Sequence, residues 1–360
     1  MFTFTVMRWF IRLGFVILFL SAVFIFLQLP RTDWFFDNRK SLNVYAWANM
    51  IDEEKLLEFE QMAGVKVRIS YYENTEELLL KLSTTKGSDC DVILTSDYIV
   101  PELIKNNFVK KLDNKQRTLL KRISAEFLGH YYDQKNEYSI PYEWAIYGLG
   151  INKKLCKDNY PEASWKTIFK PPFGYGVNML DEARTGVMLA GLYALKRNPY
   201  TEIKKILPKI NKLLQKQKPH VKVYSELLAD YLVSSGNCHV VVAPSSLIWK
   251  VMRYDDNVDF VYPKEGGFFS IDSAMVSIDT KKDDMIFMFL DFLYQPNVML
   301  HHFERYGIFP PDICIFKKSL KKWDRLKKVM PSSDEFKNAL FFRKVVSEDA
   351  MNKIWVEVMS

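Results

Sequence analysis

The sequence has few cysteines, and their spacing does not fit a metal site. Cys90, Cys156, Cys238 and Cys314 are far apart, and no C-x-x-C pair occurs among the 360 residues. A structural zinc site needs closely spaced ligands, so the spacing argues against one. Four cysteines in an exported chain allow three disulfide connectivities, but a large core does not need them. We therefore predict buried free thiols.

Catalytic and nucleic-acid-binding motifs are also lacking. The chain contains no G-x-S-x-G, no P-loop and no H-E-x-x-H, and its five histidines have no motif partner. The net charge of +7, from 50 basic and 43 acidic residues, is dispersed in short clusters such as 204–205 and 327–328. A nucleic-acid-binding face usually has a denser basic stripe interleaved with aromatic residues. The sequence therefore indicates neither an enzyme nor a nucleic-acid-binding protein.

A long hydrophobic run occurs only near the N-terminus. Arg8 and Arg12 precede residues 13–27, which carry no charge. This pattern is typical of a secretory signal, and the run is short for a membrane span of ~20 residues. No clear cleavage site follows, so residues 1–30 are either a signal peptide or an uncleaved anchor. No cysteine follows the run, which excludes the usual lipoprotein anchor, and in both cases we expect an exported chain.

Strand and helix patterns alternate after residue 40. The first predicted elements are a strand at 42–46, a helix at 53–62 capped by Asp52, and strands at 65–69 and 91–94. Such β-α-β order predicts a parallel sheet. Ligands of these sheets bind beyond the carboxyl ends of the strands, where Trp47 and residues 96–98 lie.

A second α/β region begins near residue 145. Its predicted elements are helices near 183–197, 201–217 and 245–253, a strand at 239–243 and, after residues 272–277, a helix at 284–294. The chain has no internal repeat, and no linker is rich in proline, glycine or serine. We therefore expect two lobes joined by strands that cross and return.

The most informative segment is residues 262–277, which read YPKEGGFFSIDSAMVS. Gly266 and Gly267 predict a sharp turn, because glycine reaches positive φ freely. Asp272 directly precedes a run of small and apolar residues. A carboxylate there is costly to bury without a positive partner. Asp272 therefore either faces solvent or awaits a cation.

This segment and five others resemble, in the same order, segments of the spermidine/putrescine-binding proteins of bacterial ABC importers. The other five are LNVYAW at 42–47, DVILTSDY at 91–98, YSIPY at 138–142 followed by GLGIN at 148–152, DEAR at 181–184, and YG at 306–307 with PPD at 310–312. Together they span roughly residues 42–315. The resemblance implies a two-lobed α/β fold like that of type II periplasmic binding proteins, with a hinge and an interlobe cleft.

The resemblance also implies a function and a division of the chain. The function is that of a monomeric periplasmic receptor that binds a polyamine and delivers it to ABC permease subunits in the inner membrane, without a cofactor. The implied division is a leader or anchor at 1–30, a first lobe at 41–145 with a return segment at 272–310, a second lobe at 146–271, and a C-terminal segment at 311–360 that packs on the second lobe.

The ligand-binding candidates are Trp47, Ser96, Tyr98, Glu182 and Asp272, which lie in segments that resemble the family, and Asp97, which lies between Ser96 and Tyr98. In such a site, aromatic rings pack on methylene groups and carboxylates pair with amines. Several of these residues have an alternative structural role. The two aromatic residues could pack in the core, Ser96 and Asp97 could cap a helix, and Glu182 could interact with a helix dipole.

Four positions depart from the family. Thr185 replaces a second acid, Ser270 and Pro244 replace tryptophans, although Trp249 follows nearby, and Met50 replaces a tyrosine. Thr185, Ser270 and Trp249 are therefore second-rank site candidates. The missing acid predicts that a diamine competes well with spermidine. The alternative function is a membrane-anchored sensor or interaction protein of the same fold with altered or lost ligand binding.

Overall fold

The computed structural model describes residues 12, 14–21, 23, 40–48, 50–157 and 159–360. Most of segment 1–30 lies outside these residues, and its described part, residues 12, 14–21 and 23, is helical. Among the described residues, no helix is both long enough and apolar enough to span a membrane. Cleavage or retention of residues 1–30 stays a prediction.

The described chain alternates strands and helices as predicted. The strands are β1 (Lys40–Trp47), β2 (Val65–Tyr72), β3 (Val92–Ser96), β4 (Val109–Lys110), β5 (Ser139–Asn152), β6 (Val177–Met179), β7 (Val221–Tyr224), β8 (Val240–Pro244), β9 (Val258–Val261), β10 (Phe268–Ser277) and β11 (Leu340–Phe341). The α-helices are α1 (Glu53–Ala63), α2 (Thr75–Thr85), α3 (Val100–Lys105), α4 (Asn114–Arg117), α5 (Lys166–Phe169), α6 (Ala183–Leu195), α7 (Leu207–Gln217), α8 (Ala229–Ser234), α9 (Ser245–Met252), α10 (Asp283–Leu293), α11 (Pro296–Tyr306), α12 (Ile313–Leu320), α13 (Ser333–Lys337) and α14 (Glu348–Met359).

The first elements form the predicted β-α-β unit. Strands β1, β2 and β3 are parallel, with β1 in the middle. Asp52 caps α1, because its carboxylate accepts hydrogen bonds from the N–H groups of Glu54 and Lys55 at 2.8 and 3.2 Å. The carboxyl ends of these strands meet at one edge of the sheet, which is where Trp47 and Ser96 lie.

Strand β5 joins the two halves of the sheet. The strand order is β2-β1-β3-β10-β5-β8-β6-β7, with β4 and β11 paired to β10 and β9 paired to β5. Residues 139–146 of β5 pair with β10, whereas residues 147–152 pair with β8 and β9. We call the β1–β4 part the first lobe and the β6–β9 part the second lobe. The crossing strand expected between two lobes is therefore confirmed.

Two local predictions illustrate how the sequence sets these elements. Gly266 adopts φ +97°, which confirms the predicted turn before β10. The helix predicted at 201–217 is wrong at its start, since α7 begins at Leu207 and Ile203–Ile206 forms a 3₁₀ turn. Pro208 lacks an N–H group and fits only the first turn of an α-helix, so the helix begins there.

Trp144 lies at the centre of a hydrophobic core beside β5. Its ring is fully buried and stacks on Phe269 and Phe127, each at 5.6 Å between ring centroids. Helix α12 also contacts this core, because Phe316 lies 5.4 Å from the Trp144 ring. Helix α14 packs on α6 and α7 of the second lobe instead. The expected boundary at residue 311 stays a prediction.

The cysteines do not form disulfide bonds. Cys90, Cys156 and Cys238 are buried free thiols, as predicted. The predicted burial is wrong for Cys314, which is a free thiol at the exposed start of α12.

Candidate ligand-binding site

Three strands bring polar side chains together where β10 runs between β3 and β5. Asp272 lies opposite Ser96 of β3 on one side and opposite Glu143 of β5 on the other. Directly opposed residues in antiparallel strands project from the same face, with Cβ atoms about 4.5–5.5 Å apart. Ser96, Asp272 and Glu143 therefore form a row on one face of the sheet.

The two carboxyl groups in this row are half-buried and have no basic partner among the described residues. Among the described residues, no lysine, arginine or histidine forms an ion pair with Asp272 or Glu143, and Oδ1 of Asp272 is buried without a hydrogen-bond partner. Burial raises the pKa of Asp272 to about 6, against the lowering effect of the Ser96 hydroxyl. Burial also raises the pKa of Glu143 well above its usual value, and the neighbouring Asp272 charge raises it further. A cation placed here would relieve both effects.

Glu182 connects the two lobes. It directly precedes α6 of the second lobe, and its Oε1 accepts hydrogen bonds from Tyr98 Oη at 3.1 Å and from Thr75 Oγ1 at 3.2 Å, both on the first lobe. The Arg184 guanidinium lies 4.3 Å from the centre of the Tyr98 ring. Burial raises the pKa of Glu182 although Arg184 acts to lower it. This carboxylate is therefore held at the lobe boundary with one cation nearby.

Glu226, between β7 and α8, adds a further acid to this region. Its Oε1 accepts a hydrogen bond from Tyr147 Oη at 2.9 Å. Burial raises the pKa of Glu226 to about 8, and the charges of Glu182, Asp181 and Asp272 raise it as well. Glu226 is therefore a carboxyl group whose protonation depends on the charges of Glu182 and Asp272.

Trp47 supplies an aromatic face at the end of β1. Its half-buried ring lies 4.5 Å from the Tyr72 ring, measured between centroids, and its Nε1 has no hydrogen-bond partner among the described residues. The Tyr72 hydroxyl donates to the Leu94 carbonyl at 2.7 Å, which fixes the ring beneath Trp47.

Asp97 is fully buried and already hydrogen-bonded by protein groups. Oδ2 accepts from Tyr131 Oη at 2.8 Å, and Oδ1 accepts from the Ile271 N–H at 3.1 Å. The second bond ties the end of β3 to β10. We therefore place Asp97 behind the site, where it positions β10 next to Ser96.

The second-rank candidates lie in different surroundings. Thr185 is buried in the first turn of α6, and its hydroxyl donates to the Glu182 carbonyl at 2.9 Å. Ser270 is half-buried on β10, opposite Ala145. Trp249 is not brought to the row of acids. Its buried ring packs in the core against Phe303 and Trp323, at 6.2 and 5.9 Å.

One other acidic cluster, Asp52 with Glu54 and His301, has the composition of a metal site. Arg305 occupies it, with Nε 3.0 Å from Asp52 and Nη1 3.0 Å from Glu54. Asp52 also caps α1 through two backbone N–H groups. A metal ion would have to displace this guanidinium, so we assign the cluster a structural role.

A profile of the bacterial extracellular solute-binding protein family matches residues 56–312. The chain belongs to this family. Among its relatives, the spermidine/putrescine-binding periplasmic protein of Escherichia coli strain K12 is 26% identical over 306 residues, covering 84% of this chain and 86% of the relative. The putrescine-binding periplasmic protein SpuD of Pseudomonas aeruginosa is 29% identical over 281 residues, covering 73% and 76%.

Solved structures confirm the two-lobed type II fold of this solute-binding protein. The spermidine/putrescine ABC transporter substrate-binding protein PotD of Streptococcus pneumoniae superposes with a TM-score of 0.75 at 21% identity, covering 89% of this chain and 97% of that structure. The TpPotD lipoprotein of Treponema pallidum gives a TM-score of 0.75 at 20% identity, covering 89% and 99%.

The sequence analysis missed two acids of the solute-binding protein, Glu143 and Glu226. Glu143 could have been found, since it is the single charged residue in a 14-residue strand that is otherwise mostly apolar. A lone acid in a buried strand is expected to have a partner or a ligand. Glu226 follows a short strand in a polar stretch, so no pattern in its own neighbourhood distinguishes it.

The raised carboxyl pKa values predict how the stability of the unliganded solute-binding protein depends on pH. Burial raises the pKa of Asp97 to about 7 and the pKa of Glu226 to about 8. Burial also raises the pKa values of Glu143 and Glu182. The folded state then binds more protons than the unfolded state, so stability is lost as the pH rises through these values. From pH 8 to 6.5, we expect the free energy of unfolding to increase by about 1 kcal/mol or more, since each bound proton contributes ~1.36 kcal/mol per pH unit.

Thermal unfolding at pH 8.0, 7.2 and 6.5 without ligand tests this prediction. Below pH 6.5 histidines oppose the trend, because burial lowers the pKa of His302 to about 4. In Glu226→Gln the increase should be smaller than in the parent. A melting temperature that stays constant or falls on acidification from pH 8.0 to 6.5 would contradict the assignment.

Proposed function

We propose that this protein is an extracytoplasmic receptor that binds a polyamine between its two lobes and delivers it to an ABC import permease. The observation that carries the proposal is a set of half-buried carboxyl groups, Asp272, Glu143, Glu226 and Glu182, of which Glu182 has the Arg184 guanidinium nearby. Such a site repels anions and favours a ligand with more than one positive charge. The names of the relatives, which bind putrescine or spermidine, support the same ligand class.

The contacts in the site fit the chemistry of a polyamine. One ammonium would bind at Ser96, Asp272 and Glu143, and a second near Glu182 and Glu226. The Trp47 ring would lie along the methylene chain. A charge-assisted hydrogen bond contributes ~1.5–3 kcal/mol, and micromolar affinity requires ~8 kcal/mol in total. Two ammonium groups and one stacked ring are therefore sufficient.

The lobe contacts suggest how ligand binding would be signalled to the permease. Tyr98 and Thr75 on the first lobe reach Glu182 on the second lobe directly. An ammonium beside Glu182 would add a bridge at the same boundary and favour the closed state. A permease that recognises the closed form would then receive the loaded receptor. In this proposal the receptor acts in the periplasm as a monomer.

A thermal-shift panel tests the ligand class. Putrescine and spermidine at millimolar concentration should raise the melting temperature by several degrees, because a ligand at 100 times its Kd stabilises the folded state by ~2.7 kcal/mol. Glutamate, arginine and ferric citrate should leave it unchanged. A diamine shift close to that of spermidine is expected, since the site offers two acidic groups. If no amine shifts the transition, the alternative of a related protein that lost its ligand would be favoured.

A further inference from the structure

We propose that Glu143 is a ligand-binding carboxylate of this chain, which together with Asp272 and Ser96 binds a terminal primary ammonium group. The inference rests on the proposed function and deepens it, since it assigns the chemical class of one end of the ligand. None of the six segments that resemble the family includes Glu143, so the assignment depends on the structure of this chain alone.

The strand register places Glu143 in the site. Residue 143 of β5 pairs with residue 272 of β10, and residue 272 pairs with Ser96 of β3. Trp144, the next residue along β5, pairs with Ile271 in regular register and projects from the opposite face, where it is fully buried. Glu143 therefore projects from the face of the sheet that carries Asp272.

Glu143 and Asp272 have no positively charged partner among the described residues. The hydroxyl of Ser246, in the first turn of α9, acts to lower the pKa of Glu143, and the Ser96 hydroxyl acts to lower the pKa of Asp272. Among the described residues, neither carboxylate has an ion-pair partner, and Asp272 Oδ1 is buried without any hydrogen bond. Two like charges in this position destabilise each other unless a proton or a cation lies between them. The unpaired oxygen of Asp272 leaves an acceptor for that cation.

The number of acceptors selects a primary ammonium. Such a group has three N–H donors, and the row offers three acceptor groups, the two carboxylates and the Ser96 hydroxyl. A dimethylated amine has a single N–H donor and two methyl groups in place of the others. It would leave at least one of the two carboxylates without a hydrogen bond from the ligand, which is costly.

The competing explanation is structural. Glu143 lies near the start of α9, and a carboxylate is stabilised at a helix N-terminus without any ligand. Under that explanation, removing the charge would reduce stability and leave the discrimination between amines unchanged. The two explanations therefore predict opposite results for one conservative variant.

Calorimetric titration of the full chain with putrescine and with N,N,N′,N′-tetramethylputrescine separates them. In Glu143→Gln we expect putrescine affinity to fall at least 30-fold and the preference for putrescine over the tetramethyl analogue to shrink at least tenfold. The melting temperature without ligand should stay equal or rise. The control is Glu126→Gln, an exposed acid outside the site, which should match the parent in all three measurements.

Each outcome is decisive. Putrescine affinity of Glu143→Gln within threefold of the parent, with the amine preference retained, overturns the role of Glu143 and leaves the proposed function intact. A parent protein that binds neither putrescine nor spermidine overturns both proposals together.

Discussion

Asp272→Asn should weaken polyamine binding by ~2–4 kcal/mol, as expected for one partner of a buried charge pair. The substitution keeps the shape of the side chain and removes the charge that pairs with an ammonium. In the unliganded protein Asp272 faces Glu143 and its Oδ1 has no partner, and the Ser96 hydroxyl beside it can also donate to the oxygen of an asparagine side chain. The melting temperature without ligand should therefore stay the same or rise.

Both quantities should be measured on the same preparation. Calorimetry with putrescine gives the affinity, and thermal unfolding without ligand gives the stability. Asp279→Asn is the matched control, because Asp279 is exposed just after β10 and should affect neither quantity. An Asp272→Asn protein that melts several degrees lower and binds putrescine as tightly as the parent would show that Asp272 is structural.

Of the substitutions proposed here, Trp144→Ala should reduce the stability of the folded protein most, with a loss of ~3–5 kcal/mol in the free energy of unfolding. The Trp144 ring is fully buried on the crossing strand and is parallel to the Phe269 ring, with an angle of 3° between the planes. Its Nε1 donates to the Pro310 carbonyl at 3.0 Å. The variant would lose the stacking, leave a large cavity between the aromatic side chains and leave this carbonyl unpaired.

Denaturant unfolding of Trp144→Ala and of Trp47→Ala compares two tryptophans in different roles. Trp47 is half-buried and packs on the Tyr72 ring at the edge of the core, so its removal should cost much less stability and should weaken putrescine binding. Equal losses of stability in the two variants would contradict the assignment of Trp144 to the core and of Trp47 to the ligand wall.

The part of the fold that follows from local patterns could be predicted from the sequence. The apolar strand before Asp52, the capping carboxylate and the alternating strand after α1 are all set by residues close in sequence. The turn at Gly266 is local as well. The helical pattern extends to both sides of Pro208, but a proline fits only the first turn of an α-helix, so α7 starts at Leu207 and not at residue 201.

The site could be predicted only in part. Asp272, Ser96 and Glu182 were found through the family resemblance, whereas the pairing of Asp272 with Glu143 depends on strand register between residues 129 positions apart. Register is a nonlocal property that sequence spacing does not give. For Asp97, the position in the sequence predicts a ligand contact. In the structure both carboxylate oxygens instead accept hydrogen bonds from protein groups, the Tyr131 hydroxyl and the Ile271 N–H.

Calorimetric titration of the full chain with putrescine, in parallel with spermidine and the neutral analogue 1,4-butanediol, tests the central claim most directly. The acidic site predicts saturable one-to-one binding of the amines with a Kd of about a micromolar or lower, which corresponds to ~8 kcal/mol, and no binding of the diol. A protein that binds none of putrescine, spermidine and spermine, or that binds the diol as tightly as the diamine, would contradict the account of this site as a polyamine receptor.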